Sequence, residues 1–317
     1  MNLSPRPCCP KFAMALCLWL LAAMAQAQTP VWITPVVDAP NVSRQIFFSA
    51  SVGANVSYHV YLPDAYALDP QARFPVLYYL HGSGSVLPGV APMSAQFDAA
   101  IEQGLMPPLI VVFPNGQAYG MWCDAHNGLQ PVESMVIQDL IPDVDARFRT
   151  DASWRARLVE GFSMGGYGAA RFGLKHATRF AAFSMLGAGP LQLNFLANDP
   201  GLAPIALRQR ILEEVYGNSL AIFEAQSPWR LAENFQASLR PGYPIRQIIG
   251  AQDSTLPANQ AFHQHLLALG VPHEYREVAG VGHDVLALIQ AIGPEFFHFH
   301  RDALRAADVL QASGFER

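Results

Sequence analysis

From residue 74 onward, short continuous apolar runs alternate with longer stretches of helical period. Phe74–Leu80, Leu109–Phe113, Arg157–Glu160, Phe180–Leu186, Ile245–Ile249 and Glu274–Val278 read as strands. Several are apolar on both faces, as a strand covered on both sides must be. Between them, residues 92–103, 132–148, 164–175 and 257–269 carry a helical pattern, and a final helix from about residue 284 is broken near Gly293-Pro294. In the 132–148 stretch Met135, Val136, Leu140, Val144 and Phe148 fall on one face, with a kink expected at Pro142. Upstream, Gln45–Ser49 and Val56–Leu62 flank a turn at Gly53-Ala54-Asn55 and predict an antiparallel hairpin at one sheet edge. Residues 28–44 read as an extended lead-in. Residues 187–244 break the rhythm with six prolines and helical pieces around 205–216 and 219–226, which predicts a cap-like insertion. Strand–helix alternation of this kind implies a mainly parallel, doubly wound α/β sheet, with ligand sites at the strands' C-terminal ends.

Four groups able to do chemistry follow predicted strands. The first is His81-Gly82-Ser83-Gly84, whose glycines allow backbone to approach a ligand. The second is Gly161-Phe162-Ser163-Met164-Gly165, a G-x-S-x-G turn between a strand and a helix that begins on glycines. A serine there sits in strained backbone, and bulky residues two positions either side would collide. The third and fourth are Asp253, after Gly250-Ala251-Gln252, and His283, in Gly280-Val281-Gly282-His283. A serine hydroxyl needs a base to take its proton, usually histidine. The histidine in turn needs a carboxylate to fix its tautomer. Of the ten histidines, only His283 follows the last strand within a glycine-flanked loop. His263 and His265 fall on a helix, His298 and His300 near the C-terminus, and His273 at the start of a strand. Asp284, adjacent to His283, is badly placed to grip its own neighbour's ring, which favours Asp253 as the acid.

Composition changes the picture in three ways. Arg6 and Lys11 precede an apolar run, Phe12–Ala25, that is followed by an A-x-A pattern at Ala23, Ala25 and Ala27. This predicts a secretory signal peptide over residues 1–27, cleaved after Ala25 or Ala27, and too short to span a bilayer. The remaining single domain, 28–317, carries 18 Lys and Arg against 25 Asp and Glu. A net-acidic surface argues against nucleic acid as partner. Its one remaining cysteine, Cys123, precludes an intrachain disulfide. Cys123 and His126 lack the further ligands a zinc site needs, so no metal and no cofactor is expected. Tyr119, Met121 and Trp122 offer a surface for an aryl group, and packing explains them equally well.

Taken together, "VSYHVYLPDAY", "FPVLYYLHGSG", "VVFPNG", "MWCD", "IQDLIPDVDARFRT", "EGFSMGGYGAARFGLKHATRF", "GAQDS" and "GVGHD" resemble the bacterial putative-esterase family. That family includes S-formylglutathione hydrolases, feruloyl esterases and antigen 85 mycolyltransferases. The resemblance spans about residues 45–300 and implies an α/β-hydrolase fold. It implies Ser163 as nucleophile, His283 as base and Asp253 as acid, with oxyanion-binding N–H groups from Met164 and Ser83. Many relatives carry G-x-G-G in the first loop, where this chain has Gly82-Ser83-Gly84-Ser85. The expected activity is a secreted or periplasmic serine esterase acting on a small-molecule or carbohydrate-linked ester, with feruloyl, acetyl or other short acyl groups. His81, Gly82 and Trp122 are the candidate substrate contacts. An acyltransferase that delivers to a sugar or lipid alcohol shares the same first half-reaction. A non-catalytic secreted binding protein on the same scaffold is the third reading.

Overall fold

Eight strands form one sheet in the order β1-β2-β4-β3-β5-β6-β7-β8. They are β1 (Val42–Ser49), β2 (Ala54–Tyr61), β3 (Val76–Leu80), β4 (Ile110–Phe113), β5 (Arg157–Phe162), β6 (Ala182–Leu186), β7 (Ile245–Gly250) and β8 (Glu274–Val278). The computed structural model describes residues 29–85, 87–198 and 203–312. The predicted signal peptide, with Cys8, Cys9 and Cys17, lies outside the described residues. β1 and β2 form the expected antiparallel edge hairpin, and β2 also runs antiparallel to β4. All other neighbours are parallel. After β4 the chain passes over β3 to form β5, so strand order reverses between β3 and β5. An open parallel sheet presents a crevice for ligands at such a point. Here it lies between the loop after β3 and the turn after β5.

The central strands β3, β4, β6 and β7 are buried at every position. Helices on both faces account for this. They are α1 (Asp64–Leu68), α2 (Leu87–Glu102), α3 (Val132–Ser134), α4 (Ile141–Arg147), α5 (Met164–Lys175), α6 (Ile205–Tyr216), α7 (Leu220–Gln226), α8 (Pro228–Phe235), α9 (Leu256–Ala268), α10 (Val285–Ile292) and α11 (Glu295–Ala312). One apolar core joins α5 and the α6–α8 segment to one face of the sheet. A second joins α2, α10 and α11 to the other face.

Three elements differ from the sequence expectation. α2 begins at Leu87 rather than Pro92, which sits inside it. The 132–148 helix does not simply kink at Pro142. Residues Met135–Leu140 between α3 and α4 form a π-helical stretch, and Pro142 falls in the first turn of α4. The wider π turn accommodates a residue that has no N–H to donate. α8 went unpredicted because Pro228 reads as a breaker. Instead it occupies the first helical turn, where a missing N–H costs nothing, and Ser227 caps the helix by accepting from the Arg230 N–H.

Candidate active site

Ser163 sits between the last residue of β5 and the first of α5 with φ 59° and ψ −121°, a conformation that L-residues avoid. The flanking glycines make that turn possible. A Cβ on Gly161 would lie 2.3 Å from the Gly165 carbonyl oxygen, and one on Gly165 would lie 1.9 Å from the Leu80 carbonyl oxygen. The turn is held by the Ser163 N–H donating to Leu186 O (2.9 Å) and by Tyr167 N–H and Gly189 N–H donating to Ser163 O. The hydroxyl is thereby held clear of the sheet end, above the N-terminus of α5.

The loops after β7 and β8 bring two more groups to that hydroxyl. His283 Nε2 lies 2.9 Å from Ser163 Oγ, and His283 Nδ1 lies 2.7 Å from Asp253 Oδ2. With Nδ1–H donating to the carboxylate, Nε2 is left to accept the serine proton. Asp253 is buried, and its second oxygen accepts from both the N–H and the hydroxyl of Thr255, each at 2.8 Å. Burial alone would raise the Asp253 pKa. The hydrogen bonds from His283 and Thr255 outweigh that and hold it below the ordinary aspartate value. The Phe162 ring lies against the imidazole, with centroids 4.6 Å apart and planes tilted by 38°. Asp284 is turned elsewhere: its Oδ1 caps α10 by accepting from Leu286 N–H and Ala287 N–H.

The loop after β3 completes the surroundings. His81 is buried, and both ring nitrogens are engaged. Nδ1 lies 2.7 Å from Gly82 O, and Nε2 accepts from Gly116 N–H at 3.1 Å. Only the neutral Nδ1–H tautomer satisfies both bonds, and burial pulls the His81 pKa down to about 4. A hydrogen bond to Gly82 O fixes the Gly82–Ser83 peptide plane, and so fixes the direction of the Ser83 N–H. Among the described residues, neither Ser83 N–H nor Met164 N–H has an acceptor. Gly82 itself packs on the nucleophile turn: a Cβ there would lie 3.3 Å from Ser163 Cβ.

Two cavities meet at Ser83, Ser163 and His283. The larger, about 620 Å³, runs toward α2 and α10 and is walled by Tyr79, Met93, Phe113, Phe162 and Leu286, with Asp284 among its lining residues. The smaller, about 300 Å³, runs under the insertion between β6 and β7, against Met121, Phe195, Arg208 and Ile211.

The structure separates the other predicted contacts. Gly82 and His81 border the larger cavity, but His81 has no ring nitrogen left over for a substrate and acts on its own loop. Trp122 does not reach either cavity. It is fully buried, donates its Nε1–H to His81 O at 3.2 Å, and packs edge-on to His81 and Phe172. A large ring next to glycines at 116 and 168 finds a better place in the core than in water. Tyr119 lines a different cavity, and of the three residues only Met121 faces the site. Three contributors went unrecognised. Phe162 is visible in the G-x-S-x-G motif. Thr255, two residues after Asp253, carries the Asx-turn spacing. Arg208 gave no sequence signal.

A strained serine at a strand–helix turn, hydrogen-bonded to a histidine and through it to a buried carboxylate, at the switch point of this sheet, defines the site class of the α/β-hydrolases. The family model described as "Putative esterase" matches residues 49–285, and the chain belongs to that family. An esterase of Mycobacterium tuberculosis is 29% identical over 280 residues, covering 82% of this chain and 58% of its own length. The chain thus spans little more than half the length of that relative. An endo-1,4-beta-xylanase/feruloyl esterase of Xylanibacter ruminicola is 32% identical over 165 residues, covering 48% of this chain and 22% of its own. Among solved structures, a ferulic acid esterase superposes with a TM-score of 0.68 at 21% identity, covering 83% of this chain and 98% of that one. An S-formylglutathione hydrolase of Staphylococcus aureus gives 0.65 at 20% identity, covering 82% and 98%. The fold is therefore the α/β-hydrolase fold implied by the sequence resemblance.

Proposed function

We propose that the protein is a serine carboxylic-ester hydrolase. The observation that carries this is the hydrogen-bonded line Asp253 Oδ2–His283–Ser163 Oγ, at 2.7 and 2.9 Å. In this reading His283 Nε2 takes the serine proton as Oγ bonds to the ester carbonyl carbon. The oxyanion that forms is met by the Met164 N–H at the N-terminus of α5 and by the Ser83 N–H from the loop after β3. His283 then returns the proton to the leaving alkoxide oxygen as the carbon–oxygen bond breaks. A water, activated by the same histidine, releases the acid from Ser163. Asp253 stays ionised throughout and stabilises the imidazolium. The apolar walls of the larger cavity suit an aryl or short acyl group. The family's feruloyl esterases and the two-lobed site support a small ester as substrate. The predicted signal peptide supports export to the periplasm or the medium.

Ser163→Ala should lower kcat for a p-nitrophenyl ester by about 10⁶-fold with little change in thermal stability. Wild-type turnover in that variant would refute the assignment. Product analysis with added sugar or lipid alcohols separates hydrolysis from acyl transfer, since the two share the acyl-enzyme and differ only in the acceptor.

A further inference from the structure

The two lobes at Ser163 differ in charge. Arg208, the fourth residue of α6, lines the smaller lobe and is 3% exposed. Its Nε donates to Ala203 O at 2.7 Å and its Nη1 to Phe195 O. Those carbonyls satisfy donors without supplying a full negative charge, and a buried charge without a counter-ion is costly. Among the described residues no carboxylate lies within ion-pair distance of Arg208, and none lines the smaller lobe. Arg210, two residues further on, is paired with Glu214 at 2.8 Å, so the contrast lies within one helix. The positive end of the α6 dipole adds to the potential at Arg208. The larger lobe instead carries Asp284 and, among the described residues, no Lys or Arg. An apolar contact surface alone would fill this position with Leu or Met at no electrostatic cost.

We propose that Arg208 is a specificity-determining residue, and that the smaller lobe receives a carboxylate carried by the ester. The substrate class is then an ester with one free carboxylate: a half-ester of a dicarboxylic acid, or an ester of a carboxylate-bearing alcohol or phenol. Its uncharged portion lies in the larger lobe. This rests on the esterase reading above. Charge and hydrogen bonding to the guanidinium hold the carboxylate end, while Ser163 attacks the ester carbonyl between the lobes.

The test compares two matched pairs. An aryl hemiglutarate against the aryl valerate places the carboxylate on the acyl side. 4-Acetoxybenzoate against its methyl ester places it on the alcohol side. In wild type, KM for the anionic member of one pair should be lower than for its neutral partner by about tenfold, and that preference should shrink as NaCl is raised. Arg208→Met should abolish the preference, so that the anionic and neutral members then react with the same KM, and Arg208→Lys should restore part of it. The pair that responds identifies the side that enters the smaller lobe. If wild type shows no preference in either pair, or if Arg208→Met leaves a preference intact, the proposal is wrong. A wild-type preference that NaCl does not weaken, or that Arg208→Lys does not partly restore, overturns the proposal as well. Failure of the esterase reading shows separately, as neutral-ester hydrolysis that survives Ser163→Ala.

Discussion

At the scale of single residues, the site depends on hydrogen bonds that lie behind the reacting atoms. Thr255 gives Asp253 two hydrogen bonds, one of them from its hydroxyl. Thr255→Val removes that one while keeping the shape. It should lower kcat for an ester by about tenfold with KM little changed, because a hydrogen bond to a charged group is worth about 1.5–3 kcal/mol. An unchanged kcat would mean that the backbone N–H alone orients Asp253. Ser163, Asp253 and His283 were legible in the sequence because chemistry restricts their types and each follows a strand. Trp122 was ambiguous in the sequence, since an aromatic side chain in a loop can face either way and only packing against Phe172 and His81 decides. Arg208 was illegible, because an arginine in a helix is ordinarily solvated.

At the scale of elements, two neighbouring aspartates show how position sets a role. Asp284 caps α10 from the end of the loop that carries His283. Asp284→Ala should cost about 1 kcal/mol of stability, measured by urea unfolding, and leave esterase kcat within about twofold of wild type. Asp253→Ala should do the reverse and remove most activity. A large loss of kcat in Asp284→Ala alone would reassign the acid. Helix boundaries were the least legible feature. α2 carries Pro92 inside it, the 132–148 helix changes winding before Pro142, and α8 begins at Pro228. Proline forbids a hydrogen bond but does not say whether the chain stops, widens or starts there.

At the scale of the whole molecule, charges buried beneath the site tie the sheet together. Glu160, three residues before Ser163, pairs with Arg246 of β7 at 2.7 Å and lies 3.3 Å from His300 of α11. Burial alone would raise the Glu160 pKa, but His300 and Arg246 outweigh it and hold it at about 2, against 4.5 for a free glutamate. A carboxylate whose folded pKa is depressed stabilises the fold above its unfolded value, and loses that contribution as pH falls toward its folded value. Acid should therefore weaken the protein progressively between about pH 4.5 and 2, and Glu160→Gln should flatten that part of a stability–pH curve. Arg246→Met should cost about 3–5 kcal/mol, because it takes the guanidinium away from a buried carboxylate, and adding Glu160→Gln should recover part of the loss. The sequence by itself determined the strand–helix alternation, the strained serine turn and the residue types of the Asp–His–Ser line. These depend on local periodicity, on glycines that only close backbone contact requires, and on the few side chains able to perform proton transfer. Tertiary structure alone decided the strand order that sets β3 beside β5, the closing of three distant loops to hydrogen-bonding distance, and the buried cation above the smaller lobe. Each of these arises from contacts between segments far apart in the chain, which no local pattern encodes.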